Sequence, residues 1–167
     1  MIVRYSKIIF CLCIALFAFM VAFGNITDYN SNFEFVKHVL SMDTTFEGNV
    51  LMYRSITNPT LWTVGYWGII FGEALTSLLF FIATWQLFRH RNASTKVFSK
   101  GKNYVVLGAT VAFLVWYLGF MVIGGEWFAM WQSKIWNGQQ AAYRFYTSIL
   151  LVLIYVMQSN DSIEESQ

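Results

Sequence analysis

One carboxylate interrupts a long apolar stretch of this chain. Between Arg54 and Arg89 the only charged residue is Glu73. A carboxylate at the centre of a bilayer costs about 2.5–3.5 kcal/mol on insertion scales for Asp. Glu73 must therefore face protein and be protonated, hydrogen-bonded or paired. The chemistry open to it is proton coupling or cation binding. Its structural alternative is a polar lock between helices. Counted from Pro59, Glu73 lies about 21 Å along a helix axis, near the middle of a tilted span. Ser77 lies beside it on the helical wheel. Arg144 and Glu126 are the other candidate intramembrane charges. The expected pairing joins Arg144 to Glu126 and leaves Glu73 to hydroxyls or tyrosines. Tyr66, Trp116, Tyr117, Tyr143 and Tyr146 are the available donors.

Other reactive residue types lack productive spacing. Cys11 and Cys13 are i,i+2 in an apolar run, so a helix points them to different faces. They form neither a disulfide framework nor a metal site. His38 and His90 fall on opposite sides of the expected membrane, which excludes a haem held by both. Asp28, Glu34, His38, Asp43 and Glu47 are acid-rich but match no metal-ligand spacing. There is no P-loop, HExxH, CxxCH or GxSxG. The expectation is a protein that is not an enzyme and holds no cofactor or metal.

The elements that position Glu73 follow from composition. Apolar residues make up 57% of the 167 and charged residues 12%. Soluble domains carry about a quarter charged residues, so the chain belongs in a lipid bilayer. A net charge of +2 excludes a nucleic-acid partner. Long charge-free stretches predict transmembrane helices at about 6–25, 59–88, 103–124 and 139–158. The fold class is all-α, a single four-span membrane domain over 1–167 with an outer segment at 26–57. Asn58 followed by Pro59 marks a helix start. Arg4, Lys7, Arg89, Arg91, Lys96, Lys100 and Lys102 fall on one side. The positive-inside rule makes that side, with both termini, cytoplasmic. The acidic residues Asp161, Glu164 and Glu165 are placed there too. The basic loop is read as a topology signal, with anionic lipid head groups as its functional alternative. A signal peptide is the competing account of Arg4 and Lys7, but the run 8–23 is slightly long for one.

Small residues suggest how the helices meet. Gly65, Gly68, Gly72 and Thr76 form a stripe with GxxxG spacing. Gly101, Gly108, Ala112, Val115 and Gly119 form a face on the third span, which makes spans two and three packing partners. In the outer segment, Ser31–Glu34 and Thr44–Glu47 fit capping boxes. After the first, Phe33, Val36, Val39 and Leu40 share a face. Such a helix would lie on the membrane or cover the bundle mouth. Phe33, Val36, Lys37, His38 and Asp43 are its partner-binding candidates. Trp127 and Trp131 are i,i+4 and expected to point together at the interface. Asn25-Ile26-Thr27 and Asn92-Ala93-Ser94 are treated as chance glycosylation triplets.

Gly24-Asn25-Ile26-Thr27-Asp28-Tyr29, with Asn32-Phe33 and the run Val36 to Thr45, resembles a bacterial family of predicted small integral membrane proteins of unknown function. The resemblance covers about 1–158. It implies a bacterial inner membrane and offers no catalytic residues. The function expected is an accessory or scaffold subunit that binds another membrane protein or itself. The alternative is a small proton-coupled translocator using Glu73. Small multidrug transporters have four spans and an embedded Glu, but their loops are short, unlike the outer segment here.

Overall fold

A computed structural model describes residues 1–162. Glu164 and Glu165 lie outside the described residues. The chain forms α1 (Ile2–Thr27), α2 (Tyr29–Ser41), a 3-10 turn (Val50–Arg54), α3 (Pro59–Arg89), α4 (Thr95–Lys100) and α5 (Lys102–Phe113). A π-helical stretch (Leu114–Trp127) continues α5, and a 3-10 turn (Met130–Gln132) precedes α6 (Gln139–Met157). Four segments are long and apolar enough to cross a membrane: Ile2–Thr27, Pro59–Arg89, Thr95–Trp127 and Gln139–Met157. Their mean hydropathies are 2.5, 1.6, 2.2 and 1.3. The last is lowest because α6 carries Arg144, Gln139 and Gln140 near its start. No described residue is in a strand.

The helix ends obey local chemistry. Asn58 caps α3, its Oδ1 accepting from the Thr60 amide at 2.9 Å, with Pro59 in the first turn. The outer segment departs from its capping boxes. α1 runs almost directly into α2, breaking at Asp28 (φ −113°, ψ 55°). Helix α2 thus begins before Ser31, whose hydroxyl donates to Asp28 Oδ1 at 2.9 Å. It ends at Met42, which adopts a left-handed conformation (φ 56°). Thr44 does not cap a helix; its hydroxyl donates to Ser133 Oγ at 2.9 Å and ties the two loops together. Trp127 and Trp131 do not share a helix, because the chain breaks between them at Ala129 (φ 52°).

The broadest helix interface joins α1 to α3, followed by α3 to α5. Small side chains make it close. Ala15, Ala18, Ala83, Ala109 and Ala112 are buried together with Phe80, Leu87, Phe98 and Trp116. Five glycines admit a neighbour where a Cβ would collide; Gly125 and Gly138, against Gln139 and Phe35, lie near the start of α6, and the other three lie between helices. Gly72 receives Val115, Gly108 receives Phe80 at 2.8 Å and Gly101 receives Leu87 at 2.9 Å. Gly65 faces Leu40 of α2 at 3.5 Å, and Gly68 meets nothing within 4 Å. Gly119 touches no other helix; a Cβ there would meet only the Leu114 carbonyl. An i→i+5 winding carries it off the face that a 3.6-residue period predicts. The Phe128 amide bond to the Ile123 carbonyl, at 3.0 Å, shows that winding at the stretch's end.

Filling a close glycine contact should therefore destabilise the bundle. Gly108→Leu is expected to cost about 1–3 kcal/mol through overpacking. Gly68→Leu is expected to change stability by less than about 0.5 kcal/mol. Unfolding in mild detergent measures both, and equal losses would refute this packing.

Candidate functional site

Glu73 is 2% exposed. Its Oε2 accepts one hydrogen bond, from the Asn25 side-chain amide at 2.7 Å. Among the described residues no fully buried side-chain N or O lacks a partner, so Oε1 opens onto the cavity that Glu73 lines. The expected hydroxyl partners are engaged elsewhere. Ser77 donates to the Ala15 carbonyl at 2.9 Å and Thr76 to the Gly72 carbonyl at 2.8 Å. Tyr66 donates to the Asn25 carbonyl at 2.8 Å and so fixes the residue that holds Glu73.

The cavity measures about 230 Å³ and lies between α1, α2, α3, α6 and the π-helical stretch. Glu73, Asn25, Asn32 and Tyr66 supply its polar atoms; Phe35, Trp116, Phe120 and Phe145 supply aromatic walls. Trp116 and Phe145 meet edge to face at 5.8 Å, and Phe17 packs on Phe145 at 4.9 Å. A second cavity of about 220 Å³ adjoins it through Phe35, Val36, Ile69 and Phe120. Gly65, Gly119 and Gly124 line that one, and Gly119 has no side chain within 4 Å of where its Cβ would stand.

Glu73 is not at the middle of the bundle. Its partner Asn25 is two residues from the end of α1, whereas α3 continues outward beside α2. Gly138, at the start of α6, lines the same cavity. Helix α6 is about 29 Å long, close to one hydrocarbon thickness. The cavity therefore lies near one membrane face, beneath α2.

The outer candidates serve the fold. Phe33 packs on Tyr29 and Tyr66, and Val36 is 6% exposed. Phe33 is half-buried by these contacts and Val36 is buried. Lys37 bonds Glu34 at 2.8 Å. His38 stacks on Trp136 at 4.8 Å and bonds Asp43 through Nδ1 at 2.8 Å. Arg144 and Glu126 are exposed, and neither forms an ion pair among the described residues. They lie on opposite sides of a loop break, so the expected pair does not form. No described group of three His, Cys, Asp or Glu is placed to hold a metal.

A second constellation lies at the opposite, basic end. Lys7 Nζ donates to Asp161 Oδ1 at 2.6 Å, and Lys102 Nζ donates to Oδ2. Both lysines also donate to the Gln158 carbonyl, at 2.7 and 3.0 Å. Arg4 donates to the carbonyls of Asp161, Arg91 and Ala93 at 2.8, 2.8 and 2.6 Å. Arg4, Lys7, Lys102 and Asp161 are all at most 5% exposed. The sequence signal for this cluster was the i,i+3 spacing of Arg4 and Lys7 on one helical face. Asn25 had a comparable signal, an amide one turn inside the end of an apolar helix.

Four helices long and apolar enough to cross a bilayer, packed as one bundle, are the architecture of an integral membrane protein. The chain belongs to the family described as "Predicted small integral membrane protein (DUF2165)", whose model matches residues 3–159. Comparison with curated proteins and with solved structures gives no match.

Because Gln keeps the acceptor that Asn25 needs, Glu73→Gln should retain wild-type folding. Asn25→Leu should cost about 1–3 kcal/mol by leaving a buried acceptor without its donor. Thermal unfolding of the two variants checks this. Loss of fold in Glu73→Gln would show that the charge itself holds the helices.

Proposed function

We propose that this is a non-enzymatic membrane protein that binds a small organic cation in the Glu73 cavity. One observation carries this: a buried carboxylate with a single amide donor lines a cavity walled by Tyr66, Trp116, Phe120 and Phe145. A carboxylate supplies charge complementarity, and aromatic faces attract ammonium groups within about 6 Å of the ring centroid. Asn25 and Asn32 add donors and acceptors for orientation. Pockets of this kind, apolar with few convergent polar groups, are the usual form of small-molecule sites. With the basic end cytoplasmic, the cavity would open toward the outer face of a bacterial inner membrane.

The proton-coupled translocator shares the same carboxylate and adds release on the far side. The accessory or scaffold role draws on a different feature. Gly68 faces outward with Val64, Trp67 and Phe71, which are 61%, 49% and 68% exposed. A helix of another membrane protein, or of a second copy, would approach closely there. The intact mass of the complex extracted from native membranes separates that role from binding alone.

Binding of benzylammonium and of tetraethylammonium, followed by tryptophan fluorescence, tests the cavity. The expected result is saturable binding weakened at least tenfold by Glu73→Gln, about 1.4 kcal/mol. Absence of saturable binding to folded wild-type protein would overturn this function.

A further inference from the structure

Among the described residues, the basic end buries more cationic charge than its carboxylate balances. Three cationic side chains, Arg4, Lys7 and Lys102, surround Asp161. All four residues are at most 5% exposed. Carbonyls of Gln158, Asp161, Arg91 and Ala93 satisfy their N–H groups but bring no net charge. A lock that only held the chain end down would need one cation for its carboxylate. Each further buried cation is costly when no anion meets it.

The carboxylate is also carried on a replaceable element. Beyond Met157 the described chain is no longer helical. Apart from the Gln158 amide on the Tyr155 carbonyl, the hydrogen bonds recorded between 158–162 and the rest of the bundle come from Arg4, Lys7, Lys102 and Thr95. The groups that hold this segment are therefore the groups an outside anion would use. Arg4 and Lys7 share one face of α1, and Lys102 opens α5, so the cations are carried by the helices and not by this segment.

We propose that Arg4, Lys7 and Lys102 form a recognition site for a phosphate group, filled here by Asp161 as a tethered competitor. A phosphate monoester carries about −1.5 to −2 charge near neutral pH and three strong acceptor oxygens. It meets three cations better than one carboxylate does, and the Arg4 guanidinium suits its geometry. Asp161 prevails when no phosphate is present because a short tether gives it a millimolar-range effective concentration. The site lies at the membrane face, within reach of a lipid head group or of free phosphate. Occupation frees the segment 158–162 from the bundle.

The full chain in phosphatidylcholine nanodiscs is titrated with dioctanoyl phosphatidic acid, dioctanoyl phosphatidylcholine or inorganic phosphate. Native mass spectrometry counts bound ligand. Asp161→Asn is expected to bind phosphatidic acid at least tenfold more tightly than wild type. Lys7→Gln/Lys102→Gln is expected to lose that binding, and phosphatidylcholine is expected not to bind the site. Full competition by inorganic phosphate identifies free phosphate as the ligand; its failure to compete identifies the lipid. Hydrogen exchange on unaltered wild type gives a readout that does not depend on any variant folding. Phosphatidic acid or phosphate should accelerate exchange at amides 158–162 and spare the middle of α6. Unchanged exchange in wild type with both ligands, or equal affinity in wild type and Asp161→Asn, would overturn the proposal and leave a purely structural lock.

Discussion

A carboxylate surrounded by protein and lipid must be met by donors from its own chain. That constraint organises this molecule at both ends. Glu73 receives the Asn25 amide, and Tyr66 holds Asn25 in turn. Asp161 receives two ammonium groups, with Arg4 on its carbonyl. Between these levels the bundle interior is mainly apolar, and the buried Thr76 and Ser77 hydroxyls donate to backbone carbonyls. Breaking a partnership would leave a buried ion uncompensated, which is far more costly than losing a surface pair. The four helices must therefore bring Asn25 to Glu73 and Lys7 to Asp161 whatever else they do.

Close packing and open space divide along the same axis. Toward the basic end, Gly108 and Gly101 admit Phe80 and Leu87, and the helices meet tightly. Toward the α2 end, the helix that begins as α5 unwinds into a π-helical stretch. Its wider winding turns Gly119 and Gly124 toward a cavity and away from α3. Long π-helical runs are rare and tend to occur at functional sites. Here the run forms one wall of both cavities. The empty space of the bundle is thus a consequence of backbone winding as much as of side-chain size.

The bundle was legible in the sequence because hydrocarbon length and charge-free runs leave little choice. All four apolar helices were visible in this way, as was the Asn58-Pro59 start. Gly108 meets Phe80 where α3 and α5 both keep a regular 3.6-residue period, and Gly72 meets Val115 at the very start of the π-helical stretch. Gly119 was misplaced because no residue pattern announces a π winding. The capping boxes failed because Asp28 starts α2 first, with the Ser31 hydroxyl turned back to it. Partners of Glu73 were missed for a different reason. A 31-residue helix beside a 26-residue one leaves the relative depth open. Only packing sets Asn25, rather than a tyrosine hydroxyl, against the carboxylate. Asp161 was hidden because a polar residue after the last span looks solvated unless the fold carries it back.

One helix links the two polar levels. Asn25 and Lys7 both lie on α1, eighteen residues and so about 27 Å apart along its axis. Each makes its bond at hydrogen-bonding distance, 2.7 Å to Glu73 and 2.6 Å to Asp161. A sliding displacement of α1 would alter both bonds at once, since both donors ride on the same rigid helix. The close fit of Ala15 and Ala18 in the core resists the same motion, since close-packed interiors deform little. Helix α1 is thus pinned at both ends and along its length. The two polar sites are covered by other elements. At one level that is α2, jointed at Asp28; at the other it is the non-helical segment after Met157. The frame holds the charges, and the two coverings are the elements joined to it by a break in helical structure.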